Sequence, residues 1–464
     1  MSLDDSESIL IREDGPSNPS LSCPIATIPL ELLADILEIC YSRLSGKNKF
    51  HFPLRVSLVS KSWRDLLQST SALWTTIRAS SVRTDGLREY LDRAESQSLD
   101  VTLDVKHSHG EPRITALLSI LISKIHQWRQ LNIYADEGPV LGMIAPRLLN
   151  APAHRLETLH VLVLGDDRHL GQPWMFHMDA PRLTRVHISK SPLCYRTSNI
   201  FHGLSTLRLE CLSSDGVPHL TLTDLRAIAE SSPQLRELAV QLPLLKEGTG
   251  NAASSTVRLP ALRSLELSSC PSLLDGSIRA DDFWAFSAPS LERLSLQLPW
   301  HAWRTFIMSL MLKRFQRCFA HVVAIKLKNI PFMANIPRSR QAPSNAPRAM
   351  CELFISAFPS LQRLECFDTD PTALVKTLTA HLLGDKESWP HLACVTTNKG
   401  DWSDLVTLAR LRAQHKRPLR VIHLPAVQGL SRRARELLEE LEQHTNVEYY
   451  SPEDDDGGRM DLYR

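Results

Sequence analysis

The chain of 464 residues carries 53 Lys and Arg against 51 Asp and Glu, a formal charge of +2, with 43% apolar residues and nine cysteines. That length exceeds what one compact core usually holds and predicts several domains or an extended repeat, while the balanced charge speaks against a nucleic-acid binder, whose affinity rests on a concentrated basic face. The cysteines stand singly with no C-x-x-C pair, which points to reduced thiols in the cytosol or nucleus and to no zinc ribbon, and the longest apolar runs, such as ITALLSILI at 114–122, are too short to cross a bilayer.

The first 22 residues are acidic and Ser/Pro-rich, resemble neither a secretory nor a mitochondrial signal, and are expected to be disordered. From residue 23 to about 80 the character changes. In TIPLELLADILEICYSRL, Thr27 is placed to cap a helix, Pro29 suits its first turn and Glu31 lies near the positive end of its dipole. The apolar positions are too many for one stripe: Leu32, Leu33, Ile36 and Cys40 are expected to face inward, with Leu30 and Leu37 on a second flank. A polar loop, SGKNK, is expected at 45–49. In LRVSLVSKSWRDLLQSTSALW at 54–74, spacings close to helical predict two more helices, the second capped by Ser60 or Ser62, although the opening alternation suits a strand equally. A unit of about 55 residues buries little of its own surface, yet this one is apolar on more than one face; the surplus covers either a partner or the rest of the chain.

IPLELLADIL, LRVSLVSKSWRDLL and ALW together resemble an F-box. Pro29, Glu31, Leu32, Ile36, Ser57, Val59, Lys61, Trp63, Leu73 and Trp74 fall in register with that family's pattern, with Ile28 where Leu is commoner and about nine residues inserted between the first and second helices. LREYLDRAESQSLDVTLDV at 87–105 resembles the segment that follows the F-box in many fungal members. The resemblance implies docking on a Skp-type adaptor, and through it on the cullin and RING subunits of a ubiquitin ligase. It assigns Ile28, Pro29, Leu32, Leu33, Ile36, Val56, Val59 and Trp63 to the adaptor contacts or the core that supports them.

Beyond residue 127 an apolar-x-x-apolar-x-apolar pattern recurs: WRQLNI at 128, LETLHV at 156, LTRVHI at 183, LSTLRL at 204, LRELAV at 235, LRSLEL at 262 and LERLSL at 291, then VVAIKL at 322, LQRLEC at 361, LACVTT at 392 and LRVIHL at 419. Spacings of 21 to 39 residues, with helical patterns such as LTDLRAIAE at 222–230 between copies, predict a strand and a helix per repeat. A doubly wound sheet has the same rhythm, but its strands are buried on both faces and read as continuous apolar runs. Here SLELS and RLSLQ alternate. The fold expected is therefore α/β: a three-helix F-box followed by a leucine-rich-repeat-like solenoid with a parallel concave sheet and convex helices.

The expected boundaries are 1–22 disordered, 23–80 F-box, 81–127 connector and first cap, 128–425 repeats with a flexible insertion at 331–350, 426–450 a cap helix with Leu437, Leu438 and Leu441 on its stripe, and 451–464 a disordered tail. The outward positions of successive strands would form a client-binding surface: Arg185, His187, Arg208, Glu237, Gln241, Glu266, Arg293, Gln297, Arg363 and Glu365. Mixed signs suit protein recognition, and a merely solvated face would read the same way. LPWHAW at 298–303 reads as core packing better than as an aromatic anchor; KHSH at 106–109 lacks a third metal ligand. No P-loop, dinucleotide fingerprint, H-E-x-x-H or G-x-S-x-G is present. The function expected is the substrate-recognition subunit of a Skp-cullin-F-box ligase, without catalysis, cofactor, metal, nucleic acid or membrane; the alternative is a Skp-bound receptor or scaffold acting outside the ligase.

Overall fold

Every copy of the recurring pattern becomes a strand of one parallel sheet. The computed structural model describes residues 25, 28–79, 84–106, 110–149, 151–163, 178–189, 199–210, 220–242, 256–269, 286–311, 319–330, 332, 346–384, 386–426 and 431–451. The chain divides into two units, Met1–Leu73 and Trp74–Arg464.

In the first unit, helices α1 (Leu30–Ser42), α2 (Gly46–Val56) and α3 (Lys61–Ser69) pack on one another. The stripe of α1 that faces inward is Leu33, Leu37 and Tyr41, spaced by four. The expected inward set of Leu32, Ile36 and Cys40 is instead exposed. Tyr41 explains the phase: its ring meets Phe52 at 6.1 Å and carries the Lys49 ammonium at 4.9 Å, which turns this stripe toward α2. SGKNK is not a loop between helices, because α2 begins at Gly46 and runs through the residues read as an insertion. Ser60 caps α3 by accepting a hydrogen bond from the Trp63 N–H. Thr27 lies outside the described residues.

The second unit is α/β, built on a fourteen-stranded parallel sheet. Its strands, in spatial order, are β1 (Thr76–Arg78), β2 (Leu99–Val105), β3 (Trp128–Ala135), β5 (Thr158–Val163), β7 (Arg185–Ser189), β8 (Thr206–Glu210), β9 (Glu237–Leu242), β11 (Ser264–Ser269), β13 (Arg293–Gln297), β14 (Ala324–Lys328), β15 (Arg363–Phe367), β16 (Cys394–Thr397), β17 (Val421–Pro425) and β18 (Asn446–Tyr450). Two-residue strands β4 (Ala151–Pro152) with β6 (Met178–Asp179), and β10 (Val257–Arg258) with β12 (Phe286–Ser287), form two accessory pairs. The order never reverses, unlike a doubly wound sheet with its switch point. Parallel crossovers are right-handed as a rule, and an order running one way is the arrangement that keeps crossovers to one side of a sheet. The burial alternation agrees, one face being sealed and the other half-exposed.

The sealed face is a ladder of the motif's own apolar residues. Leu159, Val186, Leu207, Leu238, Leu265 and Leu294 are paired strand to strand in register, and the row continues through Ile325, Leu364, Val395 and Ile422. All are buried, as are the leucines that open the copies, such as Leu156, Leu204, Leu262 and Leu361. Just before the strands the chain makes tight turns in which the opening leucine's N–H donates to the carbonyl three residues earlier, as from Leu183 to Ala180 and from Leu361 to Phe358. Pro181, Pro233, Pro260, Pro289, Pro359 and Pro390 stand at the second position of these turns, where their fixed φ is already correct. The residue before each strand then donates to its counterpart one repeat earlier, as from Arg263 to the Arg236 carbonyl at 2.8 Å.

The sheet outruns the expected repeat region of 128–425 at both ends. Its first strand opens inside the span assigned to the F-box, β2 occupies the expected connector, and β18 follows the C-terminal helix Arg432–Glu442. In that helix Leu441 is buried and Leu437 and Leu438 are half-buried. LPWHAW opens the helix Trp300–Leu310, and Trp303 is fully buried against Phe306, Phe332 and Phe354. His107 and His109, and most of the 331–350 insertion, lie outside the described residues.

Arg412, on the helix Trp402–Gln414, is 2% exposed. It donates to the carbonyls of Trp389 at 3.2 Å and Leu392 at 2.9 Å, holding the turn that leads into β16. Burial, with Arg417 nearby, pulls its guanidinium down to about 10, so it remains charged at neutral pH. Replacing it takes the charged donor from both carbonyls; the Trp389 carbonyl keeps the Leu392 N–H at 3.1 Å, so the main cost is the Leu392 carbonyl, at about 1 to 3 kcal/mol. Arg412→Ala should therefore lower the denaturant midpoint by an amount equivalent to about 1 to 3 kcal/mol, measured by urea unfolding.

Candidate functional site

Two surfaces carry the residues singled out in the sequence. On the helical unit, Leu33 is buried in the core, Ile28, Val56 and Trp63 are half-buried, and Pro29, Leu32, Ile36 and Val59 are exposed. Leu32 (55% exposed), Ile36 (44%) and Ile39 (53%), spaced by four and three, form a second apolar stripe on α1, beside the stripe used for the core. Leu58 (79%) and Val59 (62%) are bare in the turn between α2 and α3. Leu30 and Leu54 are also exposed. This is a large uncovered apolar area for three short helices.

On the sheet, all ten candidate client residues stand on the open face, and strand register sorts them into rows. Arg185, Thr206, Glu237, Ser264 and Arg293 are successive partners in one row, which continues through Ala324 to Arg363. The next row runs His187, Arg208, Ala239, Glu266, Ser295, and on through Lys326 to Glu365. Gln241 and Gln297 lie in a third, both paired with Ser268.

Charged pairs on this face bridge strands that are not neighbours. Arg208 Nη2 lies 2.9 Å from both carboxylate oxygens of Glu266, passing over Ala239 of the intervening strand, while its Nε donates to Glu210 at 2.8 Å. Arg293 reaches Glu237 at 3.4 Å over Ser264. Two strands apart is about 9.6 Å of backbone, a span open to long side chains only where the one between is short. The rows extend past the residues singled out in the sequence. Arg78 pairs with Asp104 at 2.8 Å and Asn132 donates to Thr102 at 3.2 Å at one end; at the other, Phe367, Thr396, His423, Glu448 and Tyr450 join the face. Their signal in the sequence was the alternation in LDVTLDV and VEYY and the positions flanking the weaker copies.

His160 stacks edge-on with His187, the ring centroids 5.4 Å apart. Burial, then the charges of His187 and Arg185, push its imidazole from the ordinary 6.5 down to about 4. Among the described residues, no three His, Cys, Asp or Glu side chains are grouped to hold a metal ion, and no helix is long and apolar enough to cross a membrane. Compared with known proteins, the chain matches no family model, and no curated protein matches it.

The His160 shift sets a pH dependence. The unfolded imidazole takes its proton near pH 6.5 and the folded one only near 4, so between these values the unfolded chain binds more protons and stability falls as pH falls. The slope is at most about 1.4 kcal/mol per pH unit. Urea midpoints measured at pH 7 and pH 5 should differ less in His160→Gln than in the parent chain.

Proposed function

We propose that this chain is the substrate-recognition subunit of a Skp-cullin-F-box ubiquitin ligase, in which the helical unit acts as an F-box and the sheet unit as a leucine-rich-repeat-like receptor. The observation that carries the reading is the second apolar stripe of α1. Leu32 and Ile36, with Pro29 and Val59, are among the residues that the F-box pattern assigns to the adaptor contacts or the core that supports them, and they are exposed on a unit whose core is made by others, which favours the contact role. The repeat reading draws support from the unreversed strand order, the buried ladder and the single open face.

In this reading the mechanism is tethering. The F-box holds the adaptor and cullin, the open face holds a client, and a client lysine meets the charged conjugating enzyme at raised effective concentration. The chain's own side chains perform no bond chemistry.

Two measurements test this. Full-length Ile36→Glu/Val59→Glu should keep the parent chain's thermal transition, because both positions are exposed, and should lose at least a hundredfold in affinity for a purified Skp-type adaptor by calorimetry. Unchanged affinity would sink the assignment. Affinity purification from cells should recover cullin together with the adaptor; adaptor without cullin would favour a receptor or scaffold acting outside the ligase.

A further inference from the structure

At the C-terminal end of the open face the rows of side chains are interrupted. β16 presents Cys394 and Thr396, both short, between the taller side chains of β15 on one side and those of β17 and β18 on the other. The result is a depression of about 270 Å³. Thr396 and Cys394 are its floor, Arg363 and Glu365 form one wall, and His423 stands opposite. One end is closed by Phe367 and Tyr450, whose rings meet edge to face at 5.8 Å across β16 and β17. Where Ala239 and Ser264 make comparable low points, Arg208 with Glu266 and Arg293 with Glu237 bridge over them.

We propose that this trough is the anchor pocket for a client protein, and that it takes one aromatic side chain from an extended segment of that client. The inference rests on the receptor reading of the sheet unit and names what the open face selects. Width is the first argument. An aromatic ring packs with centroids about 4.5 to 7 Å from its neighbours, so a ring between two walls needs roughly 9 Å or more; β15 and β17, two strand spacings apart, give about 9.6 Å. The lining is the second: the Phe367 and Tyr450 rings and the Cys394 thiol, which is hydrogen-bonded to Thr396, lie inside a polar rim of Arg363, Glu365 and His423, the arrangement in which binding hot spots form.

Charge is the third argument. Arg363 lies 3.9 Å from Glu365, so these two rim charges offset each other and ask for no net charge on the occupant; His423 lies 3.7 Å from Glu448. A cationic side chain is disfavoured further because the Lys326 ammonium already lies over the Phe367 ring, 4.6 Å from its centroid. An acidic one would approach Glu365 and Glu448.

The test is saturation-transfer NMR on the full-length chain with four probes at millimolar concentration: the N-acetyl amides of tryptophan, tyrosine, lysine and aspartate. The two aromatic amides should receive saturation on their ring protons, several times more than the other two. Thr396→Trp, which fills the floor, and Tyr450→Ala, which removes an end wall, should each reduce that signal at least threefold, whereas Glu230→Ala on the distant helix Leu222–Ser231 should not change it. A thermal melt confirms folding, and if Thr396→Trp does not fold, Tyr450→Ala decides. Saturation that survives the folded variants, preference for lysine or aspartate, or no saturation of any probe overturns the proposal. Adaptor binding by the same protein is measured separately on the helical unit, so failure of the trough and failure of the ligase assignment give different results.

Discussion

A parallel strand pair can be joined only by a crossover that carries the chain back to its starting edge, and in this protein every crossover in the sheet unit advances the strand order by one step in the same direction. The rest of the unit follows from that constraint. With right-handed crossovers, an order that never reverses favours connections on one side, and in the described strands one face is sealed and the other half-exposed. The sealed face then demands an apolar residue at every second strand position, and the turn before it demands a leucine that can be buried while its N–H closes the turn. The spacing between copies varies from 21 to 39 residues, yet Leu207, Leu265 and Leu364 still fall in one row. Length variation is absorbed in the crossovers, where loop entropy grows slowly with length.

The same geometry governs the open face. Register puts residues of equal rank side by side, so the chemistry of the surface is set by which side chains are long and which are short along each row. Ala239 and Ser264 are low points spanned by Arg208 and Arg293, and Cys394 and Thr396 are low points on the floor of the depression, Cys394 half-buried and Thr396 buried. Exposed ion pairs of this kind contribute about 0 to 1 kcal/mol each. Their effect is on shape and selectivity: they close part of the face to an incoming side chain and leave a depression where they stop.

How much of this could be read from the sequence depended on how many residues carried the signal. The strands at Leu156, Leu262 and Leu291 were legible because three buried positions and a turn repeat together. β1, three residues long, and the accessory pairs, two residues each, carry no periodicity. β18 was missed because Val447 is only half-buried at the sheet edge, so the alternation in NVEYY lacks the apolar partners of the other copies. In the helical unit, apolar residues on adjacent flanks of α1 made the phase ambiguous. Which flank is core was decided by Tyr41 meeting Phe52, a contact between helices that no pattern within α1 reveals. The open-face rows were legible, because strand alternation alone assigns Arg185, Glu237 and Arg293 to one side. The trough was not, since it depends on Phe367 and Tyr450 meeting from strands more than eighty residues apart in sequence.

The two units face opposite surface problems. A long sheet can seal one face completely because each new strand adds a row to a core that already exists. Three helices of 13, 11 and 9 residues cannot, because the fraction of surface a chain can bury falls with its size. If Leu32, Ile36 and Ile39 served only the stability of this unit, polar residues at those positions would serve it better, since bare apolar stripes favour aggregation. With the core already supplied by Leu33, Leu37 and Tyr41, this stripe is surplus to the unit's own packing, and it is this surplus that the proposed adaptor docking would use.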